Sequence, residues 1–339
     1  MADIIICGDL EHEIEKTGEL SKLAFLGSVE IINALDPSRE FLIRRLRGAR
    51  AVLEIRGRAS LDEKTLTQLP ELEMIASTGP HRIDIQAATK LGIVVTTTPG
   101  ASTAAVADHV CALTLALARH IVSADNALRR RRWEPATGFT LEGKTFGILG
   151  LGRIGGAVAK RMNAFGVNLI AWGPTLTAER AAAAHARFVS EEELFQSSDI
   201  LSVHLRYSSL SENFVDAGRL SLMKPTALLI DISRVGIVNR QDLTDALEAG
   251  KLDGAAIDLC DCLPVGMTDP ILDAPRTVLT PHMAWQTRET FQHAATMAVD
   301  NILKYFAGEP ANVANPDALK VSRRRSQLIG LKHESKTTL

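Results

Sequence analysis

Thr145-Phe146-Gly147-Ile148-Leu149-Gly150-Leu151-Gly152-Arg153-Ile154-Gly155-Gly156-Ala157-Val158-Ala159-Lys160 is the stretch that decides the fold. A short apolar strand runs into Gly-x-Gly-x-x-Gly, and the glycines open a helix. Gly150 permits a tight turn, Gly152 lets the backbone approach a pyrophosphate, and Gly155 lets helix and strand pack closely. The helix start at Arg153 and Ile154 offers unpaired N–H groups and a partial positive charge to phosphates. The strand, loop and helix together predict a Rossmann unit that binds a dinucleotide.

The same strand–helix alternation extends in both directions. Upstream, Ile4-Ile5-Ile6-Cys7, Ala51 to Ile55, Leu72 to Ala76 and Ile93 to Thr96 read as strands covered on both faces. Helical patterns at Phe41 to Leu46, Leu61 to Leu66 and Ile85 to Leu91 separate them. Ala101 to Arg132 reads as one long helical region. Downstream, strands fit Asn168 to Trp172, Ile200 to His204, Ala227 to Ile232, Gly254 to Leu259 and Thr277 to Leu279. A long helix from Thr287 to Ala307 follows, and the tail from Val321 is expected to be loosely ordered.

At 339 residues the chain is long for one core, so two domains are expected. Aromatics make up only 4% of the sequence, which leaves aliphatic residues to fill the core and suits parallel sheets wrapped in helices. A net charge of -2 supplies no field to recruit nucleic acid or an anionic membrane. No apolar stretch is long enough to span a bilayer, and the N-terminus lacks a signal-peptide pattern. Cys7, Cys111, Cys260 and Cys262 are too few and too scattered for a disulfide framework, so the cytoplasm is the expected compartment.

The dinucleotide fingerprint expects an acid at the end of the next strand to hold the ribose 2′-hydroxyl. Here that strand ends Trp172-Gly173-Pro174-Thr175, and no carboxylate appears before Glu179. Nothing there repels a 2′-phosphate, and Thr175, Thr177 and Arg180 are potential donors to one. Either NADP is accepted, or Gly173 merely forms a turn and NAD binds without a carboxylate anchor.

Further motifs resemble those of the D-2-hydroxyacid dehydrogenases, from about Ile75 to Pro316. Thr98-Pro99-Gly100 with Ala105-Val106-Ala107-Asp108-His109 is similar to the family's hinge-helix entry. Leu141-Glu142-Gly143-Lys144-Thr145 resembles its lead-in to the first cofactor strand. Met223 to Ile230 with Ser233-Arg234-Val235-Gly236 resembles the segment of its catalytic arginine, and Thr280-Pro281-His282 that of its catalytic histidine. The resemblance implies two doubly wound α/β domains with the site in the cleft. A flavodoxin-like substrate domain would comprise 1–99 and 286–339, and a Rossmann domain 100–285. It also implies a homodimer, NAD or NADP as cofactor, and a small 2-oxo or D-2-hydroxy acid as substrate.

Reducing a 2-oxo acid needs a hydride at carbon and a proton at oxygen. Arg234 is the candidate to grip and polarise the substrate, and His282 is the candidate general acid/base. By resemblance, the Thr78 and Gly79 backbone holds the substrate carboxylate. Asp258 orients the nicotinamide, Ser233 lies in the cofactor site, and Trp285 and Arg56 are candidates to line the substrate. No metal is expected.

The sequence departs from the family at one telling place. Its usual glutamate partner of the histidine falls at Leu263, immediately before Pro264. A carboxylate there would raise the imidazole pKa and fix its orientation. Four readings follow: Asp261 substitutes, His282 acts unassisted, the reaction needs no proton transfer as in formate-type dehydrogenases, or activity is lost. Smaller departures are His81, Thr97, Asp108, Asp231 and Arg206. A corepressor-like, cofactor-binding regulator is the rival from another class. Cys260-x-Cys262 falls short of a zinc site, and Arg129 to Arg132 reads as a solvated helix end.

Overall fold

The computed structural model describes residues 3–9, 12, 14–34, 37–79, 82–258 and 269–321. The chain divides into two compact units, Met1–Ala101 with Thr287–Leu339, and Ser102–Gln286.

In the first unit, β1 (Ile4–Cys7), β2 (Val29–Ile32), β3 (Ala51–Glu54), β4 (Met74–Ser77) and β5 (Val94–Thr97) form the sheet. Its order is β2-β1-β3-β4-β5, every pair parallel, which is the flavodoxin-like arrangement. Helices α1 (Arg39–Leu46), α2 (Glu63–Leu66) and α3 (Ile85–Lys90) start at Ser38, Asp62 and Asp84, whose side chains accept first-turn N–H groups. Ile5, Val52, Ile75 and Val95 pack one sheet face against Leu42, Leu46 and Leu66. Ile4, Ile6, Leu53, Ala76 and Val94 fill the other. Burial on both faces is why these strands read as unbroken apolar runs.

The second unit begins with α4 (Thr103–Ala118) and α5 (Ile121–Arg129). The single helical region expected over Ala101 to Arg132 is therefore broken, with a bend of 63°. His120 adopts a left-handed φ of 52°, and the returning chain donates Phe139 N–H to the Ala118 carbonyl at 3.0 Å. That contact takes the acceptor a continuing helix would use. No single helix among the described residues is long and apolar enough to cross a membrane.

The unit continues as β6 (Thr145–Leu149), α6 (Arg153–Asn163), β7 (Asn168–Trp172), α7 (Ala178–Ala183) and β8 (Arg187–Phe188). Next come α8 (Glu191–Ser197), β9 (Ile200–Val203), α9 (Ala217–Leu220), β10 (Leu228–Asp231), α10 (Arg240–Glu248), β11 (Gly254–Asp258) and β12 (Thr277–Thr280). The sheet order is β12-β11-β10-β9-β6-β7-β8, all parallel. Successive strands leave β6 in opposite directions, so the switch point lies between the carboxyl ends of β6 and β9. The chain then returns to the first unit as α11 (Arg288–Phe306), which buries Ala295, Ala298, Val299 and Ile302 against that unit's sheet.

Candidate active site

The three fingerprint glycines do different work. Gly150 has a φ of +99°, and a Cβ there would stand 3.0 Å from the His204 carbonyl and Leu205 amide. A Cβ on Gly155 would lie 2.5 Å from the Gly150 carbonyl oxygen. Both are demanded by internal packing. Gly152 is exposed, and a Cβ on it would meet no atom of the described residues within 4 Å. The open space there is what a closely approaching pyrophosphate needs. Gly150 N–H donates to Trp172 O at 2.8 Å, which pins the loop to β7. Among the described residues no side chain caps α6, leaving its first-turn N–H groups, including Arg153 and Ile154, for an anion. The loop therefore fits a dinucleotide.

At the end of β7, Gly173 is buried, and its backbone lies outside the left-handed region. A Cβ there would touch Gly150 Cα at 3.6 Å, an ordinary contact. The backbone therefore does not require glycine at 173. Arg180 donates from Nη1 to the Thr175 carbonyl at 2.8 Å and from Nη2 to the Leu151 carbonyl at 3.3 Å. It ties the Thr175 loop to the glycine loop. Thr177 caps α7 and accepts from Arg180 N.

At the end of β9, His204 N–H donates to Leu149 O at 2.8 Å, on the floor of the switch point. Its Nε2 lies 2.8 Å from Ser202 Oγ, and its Nδ1 is buried with no hydrogen-bond partner among the described residues. Burial pushes the imidazole pKa down to about 3, so His204 is neutral. Arg206 is exposed, and its carbonyl accepts from Ser211 Oγ.

Beyond β10 the buried Asp231 carboxylate receives both the Ser233 amide at 2.9 Å and the Ser233 hydroxyl. Burial raises the Asp231 pKa, and the Arg240 charge opposes that rise. The turn buries Ser233 and leaves Arg234 exposed, with Nη1 donating to the Ser233 carbonyl at 3.1 Å.

The histidine loop is held from β11. Asp258 is 5% exposed, and its Oδ1 accepts from Thr280 Oγ at 2.6 Å and Met283 N at 2.9 Å. Its Oδ2 accepts from Ala284 N at 2.9 Å. The carboxylate thus grips the chain on both sides of His282, whose φ is +50°. His109, from α4, places Nε2 3.0 Å from Thr280 Oγ. The threonine's one proton goes to Asp258, so His109 Nε2 is the donor to it. Burial lowers the His109 pKa against the raising effect of Asp258, which favours the neutral imidazole. Trp285 is half-buried against the core of the unit.

One sheet edge thus carries Gly150, Gly152, Arg153, Ile154, Gly155, Gly173, Thr175, Ser233, Arg234, Asp258, His282 and Trp285. Thr78 and Gly79 follow β4 in the other unit. There Thr78 N–H donates to Glu54 O at 3.1 Å and Gly79 N–H to Ser77 Oγ at 3.0 Å, so both amides expected to face substrate are engaged. Leu263, Asp261, Cys260, Cys262 and His81, with the tail beyond Val321, lie outside the described residues. In the sequence Thr280 and His109 stand only as parts of motifs. Their contact with each other and with Asp258 joins α4 to β12, and spacing along the chain does not report it.

Residues 111–284 match the D-isomer specific 2-hydroxyacid dehydrogenase NAD binding domain. The chain belongs to that family. A glyoxylate reductase of Aeropyrum pernix is 37% identical over 297 residues, covering 84% of this chain and 88% of the relative. A D-3-phosphoglycerate dehydrogenase of Archaeoglobus fulgidus is 34% identical over 84% of this chain, which spans only 55% of that relative. Among solved structures, the TT0316 protein from Thermus thermophilus superimposes with a TM-score of 0.81 at 31% identity, covering 92% of this chain and 99% of that one. An acyclic imino acid reductase in complex with NADPH and D-Arg gives 0.78 at 26%, covering 91% and 99%. This family member is an oxidoreductase acting on the CH–OH group of donors, with NAD or NADP as its cofactor.

In this dehydrogenase the edge of the cofactor sheet carries two chemically competent groups. The guanidinium of Arg234 can pair with a carboxylate or an oxyanion. The imidazole of His282 has ring nitrogens that can donate or accept a proton. Each is placed by a buried aspartate beneath its loop, Asp231 for one and Asp258 for the other.

Proposed function

We propose that this dehydrogenase reduces a small 2-oxo acid to the D-2-hydroxy acid, or runs the reverse reaction. The observation that carries the reading is the Asp258 carboxylate, which fixes the chain on either side of His282 on the same sheet edge as Arg234. Gly150, Gly152 and Gly155 with the α6 N-terminus would hold the pyrophosphate, and Ser233 and Asp258 would border the nicotinamide. When bound, the cofactor supplies or accepts the hydride. Arg234 draws the substrate's carbonyl oxygen and carboxylate by charge and polarises the carbonyl. His282 delivers a proton to the developing alkoxide, and takes it back in the oxidative direction. By the family resemblance the Thr78–Gly79 loop would take the substrate carboxylate once the Gly79 N–H leaves Ser77 Oγ, and Trp285 and Arg56 would line the substrate. With Leu263 where the family places glutamate, His282 works without a carboxylate partner at that position.

The missing acid at Gly173 supports use of NADP, since no charge at that strand end opposes a 2′-phosphate. A homodimer is supported by α5 and the chain after it, where Ile121, Leu128 and Trp133 are exposed at 54%, 55% and 84%. Cys7 and Cys111 are free thiols, which suits a reducing compartment such as the cytoplasm.

The test is oxidation of NADH and of NADPH with glyoxylate, hydroxypyruvate, pyruvate and an aryl 2-oxo acid, with formate oxidation run alongside. Saturable turnover of a 2-oxo acid supports the reading. Turnover of formate alone replaces it with a formate-type dehydrogenase, and cofactor binding without any turnover replaces it with a regulator.

A further inference from the structure

Glu54 is the last residue of β3 and Ser77 the last residue of β4, and the two are register partners in the first unit's sheet. Both are fully buried. A carboxylate at such a position loses its hydration, and only nearby donors offset the loss. Here the donors come from two loops. Ser77 Oγ donates to Glu54 Oε2 at 2.9 Å, and Ala59 N–H approaches Oε1 at 3.4 Å. The Gly57 and Arg58 amides also hydrogen-bond to it. The two loops are cross-linked besides, because Arg56 N–H donates to Thr78 Oγ at 3.1 Å.

The relay continues one step further. Ser77 has a single hydroxyl proton, and the ionised Glu54 takes it. Its oxygen is thereby left to accept the Gly79 N–H at 3.0 Å. That amide belongs to the loop assigned above to the substrate carboxylate. A substrate carboxylate must take the Gly79 N–H away from Ser77, and must do so near a buried negative charge. Protonating Glu54 removes the charge and relieves the hydroxyl of its obligation to donate to a carboxylate.

We propose that Glu54 is a positioning residue that sets, through Ser77, how readily the Thr78–Gly79 loop takes up the substrate carboxylate. The proposal rests on that loop being the carboxylate subsite. Glu54 touches no substrate. Burial raises its carboxyl pKa to about 7, so its charge changes in the range where the enzyme would work. Among the described residues, the other titratable and charged groups at this edge include Cys7 on β1, Asp9 beyond it, and Arg56 and Arg58 on the loop after β3. The Cys7 thiol is pushed up to about 12, chiefly by burial, and stays neutral; Glu54, Arg45 and Glu30 act on it more weakly. Asp9 is occupied by the Ile14 and Glu15 amides. The Arg56 guanidinium lies over the Phe291 ring of α11, 4.9 Å from its centre.

The test compares wild type, Glu54→Gln and Ser77→Ala for KM and kcat with glyoxylate, or the best 2-oxo acid, between pH 6 and 9. Wild-type KM is expected to rise roughly fivefold or more across neutrality as Glu54 ionises, while Glu54→Gln and Ser77→Ala flatten that rise and leave kcat within about twofold. Melting temperatures confirm that the variants fold. Variants that lose stability but keep the wild-type KM profile would overturn the proposal, because a purely structural carboxylate behaves that way. A second measurement does not need turnover. In the free protein, the Gly79 amide NMR shift should follow the Glu54 titration in wild type and lose that inflection in Glu54→Gln. A Gly79 amide blind to Glu54 overturns the relay even in an active enzyme. A coupled amide in a protein inactive on every 2-oxo acid removes the proposed reaction and leaves the relay standing.

Discussion

The Asp258 carboxylate accepts the Met283 amide at 2.9 Å, one residue past His282, while Thr280 Oγ donates to the same oxygen at 2.6 Å. His282 is thus suspended between two contacts to one buried anion. This arrangement fixes its backbone in a left-handed conformation that a histidine does not favour.

Asp258→Asn tests that suspension. All three groups facing the carboxylate are donors, so an amide must set its NH2 against one of them. The variant should lose stability by about 1–3 kcal/mol and kcat by roughly tenfold or more as His282 moves. Thr280→Val removes one of the three donors and should cost less of each. Steady-state kinetics with urea melts check both. Retention of kcat within a factor of about two in Asp258→Asn would show that the carboxylate does not position His282 for catalysis.

Two glycine variants separate cofactor binding from folding. At Gly152 a Cβ meets no atom of the described residues within 4 Å, and φ is -91°, so alanine should leave stability unchanged. Its methyl group occupies the approach of the pyrophosphate, and cofactor affinity should fall roughly tenfold or more. At Gly155 a Cβ lies 2.5 Å from a backbone oxygen, so alanine should destabilise the unit by about 1–3 kcal/mol as well. Calorimetric titration with NADH and NADPH, beside thermal melts, distinguishes the two. Normal cofactor affinity in Gly152→Ala would contradict the assignment of the loop.

The sequence carried this loop legibly because its constraints are local. Strand, turn, close approach and helix start all fall within sixteen consecutive residues, Thr145 to Lys160. The continuous apolar strands were readable for a related reason, since burial on both faces leaves no polar interruption. β2 is weaker, with Glu30 inside Val29–Ile32, and β8 is two exposed residues, so neither announced itself. The break at His120 was hidden too, because what stops α4 is Phe139 returning from further along the chain. The anchors of the site were hidden for the same reason. Asp258, Thr280 and His109 meet only once the sheet is assembled, and Glu54 read as one more strand residue until Ser77 stood beside it.

Gly173→Asp addresses cofactor choice. The backbone accepts a Cβ there with ordinary contacts, so the variant should fold. A carboxylate at this strand end can hold the ribose hydroxyls and repels a 2′-phosphate, so the ratio of kcat/KM for NADH over NADPH should rise roughly tenfold or more. The ratio measured with one 2-oxo acid decides it. An unchanged ratio would show that the strand end does not read the 2′ position.

Glu54 also predicts a slope of stability with pH. Its pKa is raised from 4.5 to about 7 in the folded state, so the protonated form is favoured by folding. The stabilisation is fully present below the unfolded pKa and is lost as pH rises through the folded one, between about 4.5 and 7. Linkage puts the loss at about 3 kcal/mol. Unfolding free energies of wild type minus Glu54→Gln should therefore fall across that window and level off above it. A difference that does not change with pH would mean that Glu54 ionises freely in the fold.

In the proposed reaction the nicotinamide at the glycine loop delivers hydride to a 2-oxo acid, while Arg234 binds the substrate and His282 protonates it. The most direct measurement is loss of absorbance at the NAD(P)H band with glyoxylate, hydroxypyruvate, pyruvate and an aryl 2-oxo acid, for wild type, Arg234→Ala and His282→Ala. Saturable turnover is expected in wild type on at least one of them. In each variant kcat/KM should fall roughly a hundredfold or more, with cofactor affinity retained. A wild-type protein that binds cofactor and turns over none of the four, or variants as active as wild type, would contradict the proposed reaction.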